Sequence, residues 1–82
     1  MQLREFKYQE KHTKKTLVLN NGVYLTSRRI TDFLLLLFQI DSFYVEVYFD
    51  EQESEIGYMR AFSSTEHLAP YLHKIDISRL LS

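Results

Sequence analysis

From Phe43 to Asp50 the chain alternates without a fault, with Phe43, Val45, Val47 and Phe49 on one side of a period of two and Tyr44, Glu46, Tyr48 and Asp50 on the other. Such alternation marks a β-strand with one face in a core and leaves these residues few other backbones. The second side carries two tyrosines around a carboxylate instead of the Lys, Thr and Ser of a solvated face. It is therefore expected to touch something other than water.

The segment before it, Phe33 to Ile40, admits two readings. As a helix opening near Ser27, it places Ile30, Phe33, Leu34, Leu37 and Phe38 on one stripe. As a strand, it turns at Asp41 and Ser42 and sets Leu34 opposite Phe49, Leu36 opposite Val47, Phe38 opposite Val45 and Ile40 opposite Phe43. The other side then pairs Leu35 with Tyr48, Leu37 with Glu46 and Gln39 with Tyr44. The hairpin explains more, because the helix leaves Leu35, Leu36 and Ile40 off its stripe.

Beyond a polar loop at Glu51, Gln52, Glu53 and Ser54, residues Glu55 to Phe62 alternate again. A four-residue loop would place Phe49 opposite Ile56, Val47 opposite Tyr58 and Phe43 opposite Phe62. It also puts Arg60 on the apolar face opposite Val45, where the guanidinium must snorkel to an edge, meet a carboxylate or signal another register. Val23 to Arg29 reads as a further strand, with Val23, Leu25 and Ser27 on one side and Tyr24, Thr26 and Arg28 on the other.

The ends read as helical. Residues 1–8 form an arm, and a helix begun near Gln9 closes at Asn20, Asn21 and Gly22, preferred as a C-cap over a hairpin turn because Lys11, Lys14 and Lys15 suit the negative end of a helix dipole. Ser63, Ser64, Thr65 and Glu66 form a capping box for a C-terminal helix. Its stripe of Leu68, Tyr71, Leu72 and Ile75 is expected on the Phe/Val face, with a kink at Pro70, a break at Asp76, Ile77 and Ser78, and Leu80 and Leu81 in a terminal turn. The expected fold is a single α+β domain over 1–82: an antiparallel sheet of three to four strands, a capped C-terminal helix on one face and an N-terminal helix or arm on the other.

Composition narrows the chemistry. Six Phe and six Tyr in 82 residues make large rings the main source of burial. The chain has no cysteine, hence no disulfide, thiolate metal site or Cys nucleophile. The first ten residues lack the apolar core of a signal peptide, and the longest apolar run, Phe33 to Phe38, is too short to span a membrane, so a cytoplasmic setting is expected.

His12, His67 and His73 lack chelating spacing and read as solvated. Ser63 and Ser64 lie near Glu66 and His67, but capping accounts for them better than a nucleophile does. Two glycines do not make a phosphate loop. Glu46 would serve as a general base only in a desolvating pocket with a second acid beside it, and none is identifiable. A non-catalytic protein without a cofactor or metal is expected.

Two binding surfaces are in view. Leu35, Leu37, Tyr44, Glu46 and Tyr48, with Met59 nearby, form an apolar and aromatic patch that needs covering, either by a protein partner such as a second copy in a homodimer or by the N-terminal helix folded over it. Residues 1–29 carry seven Lys or Arg against two Glu, whereas residues 30–82 carry three against nine acids. The basic front, Lys11, Lys14, Lys15, Arg28 and Arg29 with Arg4 and Lys7, suits either simple solvation or nucleic acid. Nucleic acid ranks second to a protein partner because Glu46 sits among the sheet aromatics and the pI is about 6.3.

Overall fold

The computed structural model describes residues 1–71. Two helices, α1 (Leu3–Lys7) and α2 (Lys11–Asn21), precede four strands, β1 (Val23–Arg29), β2 (Phe33–Ile40), β3 (Phe43–Asp50) and β4 (Glu55–Phe62), and a 3-10 helix spans Thr65–Tyr71. The strands form an antiparallel meander in the order β1-β2-β3-β4. This is the α+β class expected from the sequence, with four strands.

The β2–β3 hairpin holds the expected register throughout, from Leu34 opposite Phe49 to Ile40 opposite Phe43 on one face, and from Leu35 opposite Tyr48 to Gln39 opposite Tyr44 on the other. Asp41 takes the turn at φ 50, a left-handed conformation that Asp tolerates better than most residues. The outer pairs depart from simple alternation. In β1 the register shifts at Leu25, so that Thr26 and Arg28 face Leu37 and Leu35, while Tyr24 and Ser27 face Phe38 and Leu36. Leu25 packs on the tyrosine side, and the expected grouping of Val23, Leu25 and Ser27 is broken by this irregularity.

In β4 the extra residue is Gly57. Phe49 faces Ile56 as expected, but Tyr48 then faces Tyr58, Val47 faces Met59, Glu46 faces Arg60 and Tyr44 faces Phe62. The expected pairs Val47 with Tyr58 and Phe43 with Phe62 are corrected by one residue. The physical reason is Arg60, which the bulge moves off the apolar face and onto a carboxylate. Glycine suits the bulge because a Cβ there would sit 3.3 Å from the Phe33 ring.

Both faces of the sheet are covered, though not by the segments expected. The helices pack on the Phe/Val face, where Phe6 and Val18 join Ile40, Phe43, Val45 and Val47 in one core. Phe6 is 1% exposed, with its ring 5.5 Å from that of Phe43. The expected loose arm is thus the short helix α1, anchored by one aromatic. Lys11, Lys14 and Lys15 lie in the first half of α2, the opposite end from the one the dipole argument assigned them. Helix α2 does end at Asn21, but Gly22 stays at φ -79; a glycine is needed because a Cβ would meet the Val18 carbonyl oxygen at 2.5 Å.

Thr65–Tyr71 lies on the tyrosine face, where Leu68 and Tyr71 pack with Leu37, Tyr44 and Phe62. This corrects the expected placement, and the cause is polar: a buried Tyr71 hydroxyl needs a partner, and on the tyrosine face it finds Glu46. The segment is also a 3-10 helix instead of an α-helix. Pro70 lacks an N–H and would clash with the Glu66 carbonyl in an α-turn. Ser64 caps it, with its Oγ accepting from the Glu66 amide at 3.2 Å. The expectations for Leu72, His73, Ile75, Asp76, Ile77, Ser78, Leu80 and Leu81 lie outside the described residues.

Candidate functional site

The tyrosine patch is a closed interior. Leu35, Leu37 and Glu46 are 0% exposed and Tyr44 is 4% exposed, while Tyr48 is half-buried. The expectation that Leu35, Leu37, Tyr44 and Glu46 present an open surface is corrected: within one chain they are already covered. The cover on Leu37 and Tyr44 includes Leu68 and Tyr71, and so comes from the C-terminal side instead of the N-terminal helix considered above.

At its centre is a charge cluster. Arg60 Nη2 lies 3.1 Å from Glu46 Oε1 and Arg28 Nη2 lies 3.7 Å from Glu46 Oε2. Tyr48 donates its hydroxyl to Oε1 at 3.3 Å, and Tyr71 donates to Oε2. The strands dictate this set. Arg60 stands directly opposite Glu46 across β3–β4, Tyr48 is two residues along β3 on the same face, and Arg28 arrives from β1 two strands away. Arg28 lies over the Tyr71 ring and Arg60 over the Phe62 ring, 5.3 and 5.1 Å from carbon Cζ to the ring centres.

One buried carboxylate thus holds two guanidiniums and two phenols. Burial, and then Glu46, raises Tyr71 well above the usual tyrosine range, and Tyr48 moves the same way for the same causes. Both phenols therefore stay protonated and donate. The Nε atoms of Arg28 and Arg60 are sealed from solvent and find no acceptor among the described residues. Unmatched donors of this kind cost about 1–3 kcal/mol each, so the cluster contributes positional specificity more than net stability. With its oxygens fully engaged, Glu46 is arranged as a structural clamp.

The Phe/Val face is less complete. Helices α1 and α2 cover the end near the Ile40–Phe43 turn, but Leu34, Leu36, Phe38, Phe49 and Ile56 remain half-buried. A groove of about 140 Å³ opens between Val18 and Leu19 of α2 and Leu36, Phe38, Phe49 and Ile56 of the sheet. Leu19, at its rim, is 76% exposed. Sequence reasoning treated these residues as core. Alternation says which residues share a face, whereas the area an eleven-residue helix leaves bare depends on the angle at which it crosses.

The basic residues do not assemble on one surface. Arg28 belongs to the Glu46 cluster, Arg29 pairs with Glu51, and Lys14 lies 5.7 Å from the Phe6 ring centre. Lys11 and Lys15 remain beside the groove on α2, with Lys15 lining it. His67 stacks edge-on against Phe62, ring centres 5.0 Å apart, and His12 is exposed on α2. Among the described residues no helix is long and apolar enough to cross a membrane. Compared with models of known protein families, with curated proteins and with solved structures, the chain matches none.

Proposed function

We propose that this chain is a small, non-catalytic protein-interaction module whose docking surface is the groove beside α2. The observation that carries the reading is an inversion of burial along β2. Leu35 and Leu37, on the tyrosine face, are 0% exposed, whereas Leu34, Leu36 and Phe38, on the face that alternation assigns to the core, are only half-buried. An apolar groove with an exposed leucine at its rim is a surface that a partner's side chain can cover.

The groove is suited to side chains of a partner and poorly suited to a small ligand, because drug-sized sites run to roughly 300–1,000 Å³. The non-catalytic reading is supported by the state of the carboxylate buried among the described residues: Glu46 is held by Arg28, Arg60, Tyr48 and Tyr71, which suits a structural role better than that of a general base. A cysteine-free chain fits a reducing setting, and the reading assigns the module to the cytoplasm.

The test is a photo-crosslinking residue in place of Leu19, expressed in cells and irradiated. The expected result is a discrete protein adduct that disappears when Leu36→Lys is added to a chain shown to remain folded. Adducts absent, or unchanged by Leu36→Lys, would remove the groove as the docking surface.

A further inference from the structure

Resting on the reading above, we propose that the occupant of the groove is a short segment of another protein that carries apolar side chains with carboxylates beside them. The groove does not stop at Ile56. It runs on past Met59, which lines both it and a second hollow of about 180 Å³ bounded by Lys11, Lys14, Gly57 and Tyr58. Together they make one furrow between α2 and the sheet, apolar at the Leu19 end and basic at the Gly57 end.

Helix α2 builds the wall of this furrow. Lys11, Lys15 and Leu19 recur every four residues and so share one side of the helix. Lys11 borders the hollow, whereas Lys15 and Leu19 border the groove. A helix of 11 residues is roughly 16 Å long, the reach of about five residues in extended form. The furrow therefore takes a short stretch of chain seated lengthwise along α2.

Charge selects the chemistry of that stretch. Lys15 is half-buried beside apolar side chains, and neither it nor Lys11 pairs with a carboxylate among the described residues. The acids of the nearby turn are directed elsewhere. Asp50 and Glu55 oppose each other on the tyrosine side of the sheet, Asp50 accepts from the Gln52 and Glu53 amides, and Glu51 pairs with Arg29. Glu10 precedes α2 and is exposed, so the wall keeps a net positive charge. Carboxylates on the occupant supply what Lys11 and Lys15 lack, and an apolar side chain covers Leu19 and Leu36. A bilayer fits less well, because the floor is recessed between a helix and a sheet. Nucleic acid fits less well, because its phosphates would have to lie along an apolar floor.

Selection from a library of random displayed peptides tests this with the native chain and with a Lys11→Glu, Lys15→Glu variant whose fold is checked by circular dichroism. The native chain is expected to enrich peptides in which Leu, Ile or Phe stands close to Asp or Glu. A synthetic copy of such a peptide should shift the methyl resonances of Leu19, Leu36 and Ile56. Its affinity should fall with added salt and drop at least about tenfold in the double variant, as like charges at a contact require.

Acidic peptides that bind the variant as well as the native chain, or that shift only residues of the tyrosine face, would overturn the proposal. Acid-free peptides that shift Leu19 and Leu36 overturn the carboxylates and leave the docking surface standing. With no peptide enriched, a Leu19 adduct of twice the chain mass overturns the proposal in favour of a second copy, and capture by vesicles of anionic phospholipid overturns it in favour of a membrane. No enriched peptide and no adduct removes both the occupant and the groove.

Discussion

Glu46 decides more of this structure than any other described residue, because three of the four side chains that reach it come from other elements of the chain. Arg28 ties in β1, Arg60 fixes the β4 register and Tyr71 holds the 3-10 helix to the sheet. Glu46→Gln would leave two guanidiniums facing a neutral amide. The expected loss is about 3 kcal/mol, the low end for breaking a buried ion pair because both arginines keep some contact with water. Urea unfolding measures it; a change below about 0.5 kcal/mol, the scatter of ordinary surface substitutions, would show that the cluster holds nothing in place.

Tyr71→Phe keeps the ring and removes one hydrogen bond to a charged oxygen, an expected loss of about 1.5–3 kcal/mol on the same measurement. The two phenols also set an alkaline limit. Their pKa values lie above the unfolded value of about 10, so the protonated form is favoured in the fold. Their contribution is complete below about pH 10 and is lost as the pH rises from there towards the folded values. Stability should decline above about pH 10, less steeply in Tyr71→Phe than in the native chain. Identical alkaline limbs would exclude Tyr71 as a source of the decline.

Among the elements, the β2–β3 hairpin was legible to the residue because sixteen positions had to satisfy one alternation, and a turn at Asp41 and Ser42 set every residue of the Phe/Val face opposite another apolar one. Strand β4 was legible as a strand but not in register. Arg60 on an apolar face, three residues after Gly57, was the available sign, since a glycine inside a strand marks a bulge. Helix α1 was hidden by its length, five residues with one buried side chain, which no periodicity can reveal. The 3-10 helix was hidden by a capping signature that starts an α-helix equally well, and Pro70 alone distinguished the two.

The α2–β1 junction gives a test at this scale. Exchanging glycine for alanine where the backbone is unstrained normally stabilises by about 0.4–1 kcal/mol through the unfolded chain. At Gly22 the sign should reverse, because the new methyl meets the Val18 carbonyl oxygen at 2.5 Å. An expected loss of about 1–3 kcal/mol follows from overpacking against backbone that cannot rotate away. A stabilised Gly22→Ala protein, read by thermal unfolding, would show that helix and strand are joined more loosely than described.

At the scale of the whole molecule, a single sheet is covered on both sides by unequal layers. The tyrosine face is sealed around a charge, whereas the Phe/Val face is sealed at one end and half-buried at the other. The sequence made the carboxylate between Tyr44 and Tyr48 conspicuous, and the fold puts that residue at the centre of a buried charge cluster. Which face remained open was not legible, because both faces of β2 are apolar and a run such as Leu34 to Leu37 reads the same from either side. The choice was made by the C-terminal tyrosine seeking a partner for its hydroxyl and by the short reach of α2.

The proposed reading places contact at the groove beside α2 and not on the tyrosine face. Two exposed side chains separate these surfaces: Leu19, 76% exposed at the groove, and His67, exposed and stacked on Phe62 on the other face. The measurement is photo-crosslinking in cells from a crosslinking residue placed at Leu19 or, in a separate chain, at His67. The expected result is a discrete protein adduct from position 19, lost on Leu36→Lys, and none from position 67. An adduct from position 67 alone, or none from either, would contradict the reading.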